Sequence, residues 1–411
     1  MKNSPILKYR DDFPLLKTKM HGKPLIYFDS AATAQKPESV IDAMTTFYVS
    51  HYGTVHRAVY ELSTFATKKY EETRKKVALL LNAKKPEEII FTRGATESIN
   101  MAAFSFAKAF IRPGDEIIIS EMEHHSNIVP WQMIRDDFQA VLKVIPMNDQ
   151  GVSQGELDLE AFSKLLTDKT KIVAVTHISN ALGTVNPIKK MIQMAHERGA
   201  KVLVDGAQSV PHMKVDVRDL DADFYVFAGH KMYGPTGIGI LYGKEELLNQ
   251  MPPYQGGGDM IETVTFEKTT YNTLPLKFEA GTPMIAEVLG LGAAVDYINH
   301  IGLDLIYQYE QELLIYATEK IQKIEGLKII GTAKEKGAIL TFTVDGVHPL
   351  DLATLLDLQG ICIRTGHHCA QPVMRHFGLT SASRASLSFY NTKDEIDLFI
   401  EALQDSIKKL R

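Results

Sequence analysis

The stretch Asp223-Phe-Tyr-Val-Phe-Ala-Gly-His-Lys231-Met-Tyr-Gly-Pro-Thr-Gly-Ile-Gly239 decides the fold. An apolar run that reads as a buried strand stops at a turn of small residues, and the turn carries one lysine. Just upstream, Lys201-Val-Leu-Val-Asp205-Gly-Ala-Gln208 reads as a second buried strand with a carboxylate at its C-terminal tip. Outward from this pair, from about Glu88 to Tyr242, short β-rich runs alternate with helical stretches. Strands are expected at Glu88–Thr92, Glu116–Ser120, Val141–Pro146, Lys171–Thr176, Lys201–Asp205, Asp223–Ala228 and Ile238–Tyr242. Amphipathic segments at Ser98–Phe110, Leu159–Leu166 and Ile188–Arg198 separate several of them. This alternation predicts an α/β fold with a mainly parallel sheet covered on both faces, whose ligands collect at the carboxyl ends of the strands. Asp205 and Lys231 both fall there.

A lysine and an acid at the ends of neighbouring strands are the two groups a pyridoxal phosphate enzyme needs. The amine condenses with the aldehyde, and the acid keeps the ring nitrogen protonated. A lone lysine in a glycine-rich turn reads as a surface residue; the paired acid is what favours the cofactor.

Composition narrows the class. The chain has 411 residues, 45% hydrophobic and 23% charged, with a net charge of −5. That is enough for a large core and two to three domains. No basic tract points to nucleic acid or a membrane surface, and no apolar run reaches a membrane span, so a small-molecule substrate is expected. The charged N-terminus does not read as a secretory signal. The two cysteines, Cys362 and Cys369, fit a reducing, cytoplasmic setting better than a disulfide framework.

Past about Gly290 the texture changes. A helix at Leu303–Ile324 precedes strands at Leu327–Gly331, Ala338–Val344, Cys362–Thr365 and Ser383–Tyr390, and a helix at Lys393–Lys409 closes the chain. Three units are expected: an N-terminal segment (1–25) packing with a small domain, a large domain (26–290), and a smaller α+β domain (291–411). The Gly- and Thr-rich run Gln255–Lys268 reads as a projecting hairpin.

Further chemistry is scattered along the chain. In Arg93-Gly-Ala95-Thr96-Glu97 a strand turns through glycine into a helix, where backbone N–H groups, the Thr96 hydroxyl and the helix dipole favour an anion. His124 and His125 follow another strand end; either can stack on a flat ring and pass a proton, or the two simply cap a helix. Asn180 reaches a cofactor oxygen or its own backbone. In Arg364-Thr-Gly-His-His-Cys369-Ala-Gln-Pro372, a helix is expected just beyond Cys369, and a thiol near a helix start and cationic groups becomes more nucleophilic. Cys362, in a strand pattern, reads as structural. A zinc site from His367, His368 and Cys369 lacks a partner cysteine at the usual spacing, so no metal is assigned. Arg384 suits a carboxylate held bidentately, or a surface ion pair.

With these motifs quoted, the chain resembles the Suf-type cysteine desulfurases, within the class V aminotransferase-like, fold-type I pyridoxal phosphate enzymes. The match also includes Asp29-Ser-Ala-Ala-Thr-Ala-Gln-Lys-Pro37, His56-Arg57, Glu123–Trp131 and Phe278-Glu-Ala-Gly-Thr-Pro283. The resemblance implies a seven-stranded, mainly parallel sheet with a smaller α+β C-terminal domain. It implies that Lys231 binds pyridoxal 5'-phosphate and acts on the substrate Cα proton, that Asp205 pairs with the ring nitrogen, and that Gln208 supports the ring oxygen. It implies that His124 stacks on the ring and that Ala95, Thr96 and His230 surround the phosphate, joined by Thr282 from the other subunit of a homodimer. Arg384 and Asn180 are implied to hold the substrate carboxylate, with Ala31, His56 and Arg364 nearby. Cys369 is implied to take sulfur from L-cysteine, leaving alanine and a persulfide. The persulfide would pass to an acceptor of the SufE or SufU type for iron–sulfur cluster assembly, with selenocysteine cleavage as a side activity.

Two positions depart from the pattern. Ala228 stands where many relatives carry a phosphate-binding serine, and Ala95 replaces the first of two adjacent threonines, so weaker cofactor binding is expected. The compact Gly366–Gln371 segment implies a docking acceptor rather than a long mobile loop. A transaminase on this fold would leave the Arg364–Cys369 segment unexplained. A non-catalytic assembly scaffold would not need Lys231, Asp205, Arg384 and Cys369 together.

Overall fold

The computed structural model describes residues 4–148 and 153–411. The large sheet consists of β1 (Ile89–Thr92), β2 (Glu116–Ser120), β3 (Val141–Ile145), β4 (Thr170–Thr176), β5 (Lys201–Asp205), β6 (Phe224–Ala228) and β7 (Gly239–Gly243). Their order is β1-β7-β6-β5-β4-β2-β3. β5 runs parallel to β4 and β6, while β7 runs antiparallel to β6 and β1. The reversal follows from the connection. Residues 229–238 contain only a short turn of helix, too little chain for the crossover that a parallel return needs.

The expected strands are all present, with ends shifted by a residue. Glu88 and Asp223 stand just outside because their carboxylates serve the backbone instead. Glu88 accepts from the N–H groups of Lys84 and Lys85, and Asp223 accepts from Val202 N–H. β6 and β7 are buried along their whole length, as expected of strands covered on both faces.

The small sheet contains β8 (Leu327–Ile330), β9 (Ile339–Val344), β10 (Arg364–Gly366) and β11 (Ala382–Ser386), in the antiparallel order β8-β9-β11-β10. The expected strand Cys362–Thr365 is two pieces: Ile361–Cys362 pairs with Ile26–Tyr27, and β10 begins at Arg364. The strand expected to reach Tyr390 stops at Ser386. Beyond it Ser388 N–H donates to Asn391 and Phe389 N–H to the buried Glu310, which pulls the chain out of the sheet.

Two helices lead into this sheet, Ile285–Ile301 and Leu303–Ile321. The first runs through Gly290, so the change in texture there lies inside a helix rather than at a linker. It escapes sequence reading because it is apolar on most of its faces and shows no helical stripe. The N-terminal segment docks through Phe13, which packs edge-on against Phe389 and Tyr297, and through Arg10, which donates to Tyr390 O. Among the described residues, no helix is long and apolar enough to cross a membrane.

Candidate active site

The carboxyl ends of the central strands open into a cleft of about 760 Å³, closed on its other side by the small sheet. Ala31, Ala95, Thr96, His124, Asn180, Asp205, Gln208, His230, Lys231, Arg364, Cys369 and Arg384 all line it. Thr282 and His56 do not. Thr282 borders a separate, smaller opening with Glu279 and Met284, and the His56 ring sits 3.1 Å from Glu71.

Asp205 ends β5, buried, with Ala207 N–H 3.0 Å from Oδ1. Burial raises its carboxyl above the ordinary range, against the pull of Lys231 and the Ala207 N–H. Lys231 lies in the turn after β6; burial holds its amine below the usual range, with Asp205 opposing. A lowered amine is the form that attacks an aldehyde or takes a proton.

The helix Ala95–Phe110 starts at the end of β1, with Gly94 as its cap. Gly94, Ala95 and Thr96 line the cleft at the end of the helix where the dipole favours an anion. The turn packs tightly on β7: a Cβ at Gly239 would lie 2.4 Å from Gly94 Cα, so only glycine permits the approach.

The His124 ring accepts from Ser126 N–H at 3.1 Å through Nδ1, which places its own proton on Nε2. Burial, with Lys231, His125 and Arg384 adding to it, pushes His124 down to about 3, so the ring is neutral at physiological pH. Burial likewise brings His230 down to about 4. Gln208 donates to Ala31 O at 2.6 Å, while its Oε1 is buried with no hydrogen-bond partner among the described residues.

Arg384 lies on β11 and is 2% exposed, which overturns a surface ion pair. Its Nη1 donates to Asn180 O at 2.9 Å and its Nη2 to Asp29 Oδ1 at 3.0 Å. Its Nε has no partner among the described residues. Burial lowers the guanidinium's pKa, and Asp29 offsets this. Asn180 does not spend its amide on its own loop; Nδ2 donates to His368 O at 2.7 Å and ties the loop after β4 to the cysteine segment.

Cys369 is exposed, and the expected helix follows it at Gln371–His376. His368 and Cys369 both adopt left-handed φ of 53°, a conformation costly to non-glycine residues and maintained here by the surrounding contacts. His125 N–H donates to Cys369 O at 2.8 Å, which fixes the segment to the loop after β2. Burial lowers His125, and His367 adds to it. Cys362 is half-buried, and burial pushes its thiol up to about 11.

Three residues carry more of the site than the sequence reading gave them. Asp29 bridges Arg364 and Arg384. Lys36 donates to His230 O at 3.0 Å and to Ala34 O, and burial brings its amine down to about 8. Glu123 is fully buried and accepts from Ser120 Oγ, Thr176 N–H and Asn127 Nδ2 at 2.5–2.9 Å. Burial still pushes its carboxyl up to about 8. All three fall inside quoted motifs, where the only available signal was a charge surrounded by small or apolar neighbours.

The model for aminotransferase class-V proteins matches residues 26–399. The chain belongs to the aminotransferase class-V family. Within that family it is similar to a cysteine desulfurase of Serratia proteamaculans, 50% identical over 99% of both chains. A cysteine desulfurase of Synechococcus elongatus is 49% identical over 97% of this class-V chain, which spans only 63% of that relative's length. Among solved structures, the cysteine desulfurase CsdA of Escherichia coli superposes with a TM-score of 0.91, at 40% identity over 99% of each chain. A flat ring bearing a phosphate and a protonated nitrogen fits the residues described: Asp205 for the cation, the Gly94 turn for the phosphate, and a neutral His124 for the ring face. Pyridoxal phosphate has that chemistry.

Proposed function

We propose that this chain is a cysteine desulfurase, which takes sulfur from L-cysteine with pyridoxal phosphate and leaves L-alanine and a persulfide on Cys369. The observation that carries it is the convergence of Lys231, from the large domain, and Cys369, from the small one, on a single cleft. A transaminase has no use for the thiol, and a scaffold has no use for the lysine.

When bound, the cofactor withdraws electrons from the substrate Cα. Lys231 would hold it covalently and then move the Cα proton. Asp205 would keep its ring nitrogen charged, Gln208 would support its ring oxygen, and His124 would cover the ring face. Thr96, His230 and the N–H groups after Gly94 would hold its phosphate. Arg384 and Asn180, which both line the cleft, would bind the substrate carboxylate. The Cys369 thiolate then forms an S–S bond as the substrate's C–S bond breaks; the Cα side keeps the electron pair, gains a proton and leaves as alanine. Cysteine and one thiol thus become alanine and one persulfide, with no outside oxidant.

The same reading includes a homodimer with composite sites. Thr282 lies outside its own chain's cleft and would join the phosphate of the partner's. Tyr48, Val49, Tyr52, Val59 and Tyr60 are exposed on one stretch of chain, as is Phe266 at the tip of the hairpin Ile261–Val264 and Thr269–Tyr271. Apolar exposure on that scale marks an interaction surface. Sulfur would pass to a small docking protein serving iron–sulfur cluster assembly, with selenocysteine as an alternative substrate. The test is alanine release from cysteine, alone and with thiolate-bearing or zinc-bearing acceptors, with Lys231→Ala as the inactive control. Release that needs neither Lys231 nor cofactor refutes the reading.

A further inference from the structure

His125, His367 and Cys369 come from two domains, yet one donor atom of each lies within 4.8 Å of the others. The geometry points to a labile transition-metal site in which the two imidazoles and the Cys369 thiolate grip one Zn²⁺-like ion. This goes beyond the desulfurase reading: the ion would occupy the thiol that reading assigns to sulfur.

The donor set is the mixture of imidazole nitrogen and thiolate sulfur that zinc prefers, and three protein ligands leave a fourth position for water. Each ring already presents a lone pair. His125 Nε2 accepts from Gln371 N–H at 3.2 Å, and His367 Nδ1 accepts from Cys369 N–H at 3.1 Å. Both are long bonds at exposed positions, so an ion can take the lone pairs while water takes the N–H groups. The rings lie 5.4 Å apart, tilted by 38°. A tetrahedral ion needs its ligand atoms about 3.4–3.8 Å apart, so the three must close by roughly an ångström. His367 is exposed, and side-chain rotation at His367 and Cys369 can supply that closure without moving the backbone.

His368 is not among the donor atoms that cluster here, and its side chain is buried. His125 is the ligand that sequence spacing hides, since it lies more than two hundred positions upstream and meets the loop only through the fold.

Binding would convert the thiol to a zinc thiolate, release its proton to solvent and mask the nucleophile. Divalent zinc would therefore be a reversible brake, lifted by chelation or by an acceptor that strips the ion.

The test omits cysteine, which itself binds zinc, and so fails independently of desulfurase activity. Holoenzyme is titrated with Zn²⁺ and treated with iodoacetamide, and alkylation of both cysteines is followed by mass spectrometry. One Zn²⁺ per chain should slow alkylation of Cys369 at least tenfold, and a chelator should restore it. Cys362, outside the cluster, should keep its rate and thereby report an intact fold in every variant. His125→Gln and His367→Gln should each lose most of the protection. Co²⁺ should give a thiolate-to-metal absorption band that Cys369→Ser lacks. Unchanged Cys369 alkylation at saturating Zn²⁺, or full protection in both histidine variants, overturns the site.

Discussion

Arg364 stands directly opposite Arg384 across the antiparallel pair β10 and β11, and Asp29 lies between them. Like charges facing each other on a sheet repel, so the pair persists only because one carboxylate serves both. Asp29 bonds Arg384 Nη2 at 3.0 Å and Arg364 Nε at 3.1–3.2 Å. One guanidinium is thereby anchored at the floor of the cleft, with its buried Nε lacking a partner among the described residues.

Arg384→Ala should lower kcat/KM for cysteine by ~2–5 kcal/mol, the range for truncating one partner of a desolvated charge pair. Steady-state kinetics check this, and near-normal values would take Arg384 out of substrate binding. Asp29→Asn should destabilise the fold by roughly 1–3 kcal/mol, less than for a fully buried pair because Asp29 keeps some exposure. A denaturant melt reads that change.

Ala95 and Ala228 both line the cleft where a hydroxyl would meet the cofactor phosphate. Ala95→Thr and Ala228→Ser should each slow cofactor loss, by about 1–3 kcal/mol if the new hydroxyl reaches the charged oxygens. Dialysis against a carbonyl trap measures it. Unchanged retention in both variants would mean the phosphate lies elsewhere.

The sheet was legible where buried apolar runs end at glycine turns, as at Ala228-Gly229 and Asp205-Gly206. Its reversal at β7 and the helix Ile285–Ile301 were not, since direction and an all-round apolar helix leave no periodic mark. Among site residues, Lys231 and Asp205 announced themselves as charges at the ends of apolar runs. Asp29 and His125 act through partners far away in sequence, and spacing along the chain cannot show that.

Cys362 should be a poor nucleophile. With burial, Asp357 and Asp29 raising its pKa to about 11, only about one molecule in a thousand is thiolate at pH 8. The direction is fixed by charge: raising the pKa depletes the reactive anion below it. Alkylation of Cys362 should therefore climb about tenfold per pH unit up to that value. A rate already level at pH 8 would contradict the burial argument.

Val59 is fully exposed in the single chain, so Val59→Asp should change stability by no more than about 0.5 kcal/mol if that surface is free. If it is the dimer face, the substitution should yield monomers with weakened cofactor binding, since Thr282 would then be lost from the partner's site. Light scattering with cofactor absorbance separates the two. A dimer of unchanged mass and activity would place the interface elsewhere.

The most direct measurement is a map of the sulfur itself. Holoenzyme mixed with a slight excess of L-cysteine, quenched with an alkylating agent and digested, should carry one added sulfur on the peptide containing Cys369, in amounts matching the alanine released. Cys369→Ser should show neither the persulfide nor sulfide release while still holding the cofactor. Added sulfur on Cys362 instead, or alanine formed at the normal rate by Cys369→Ser, would contradict the assignment of Cys369 as the sulfur acceptor.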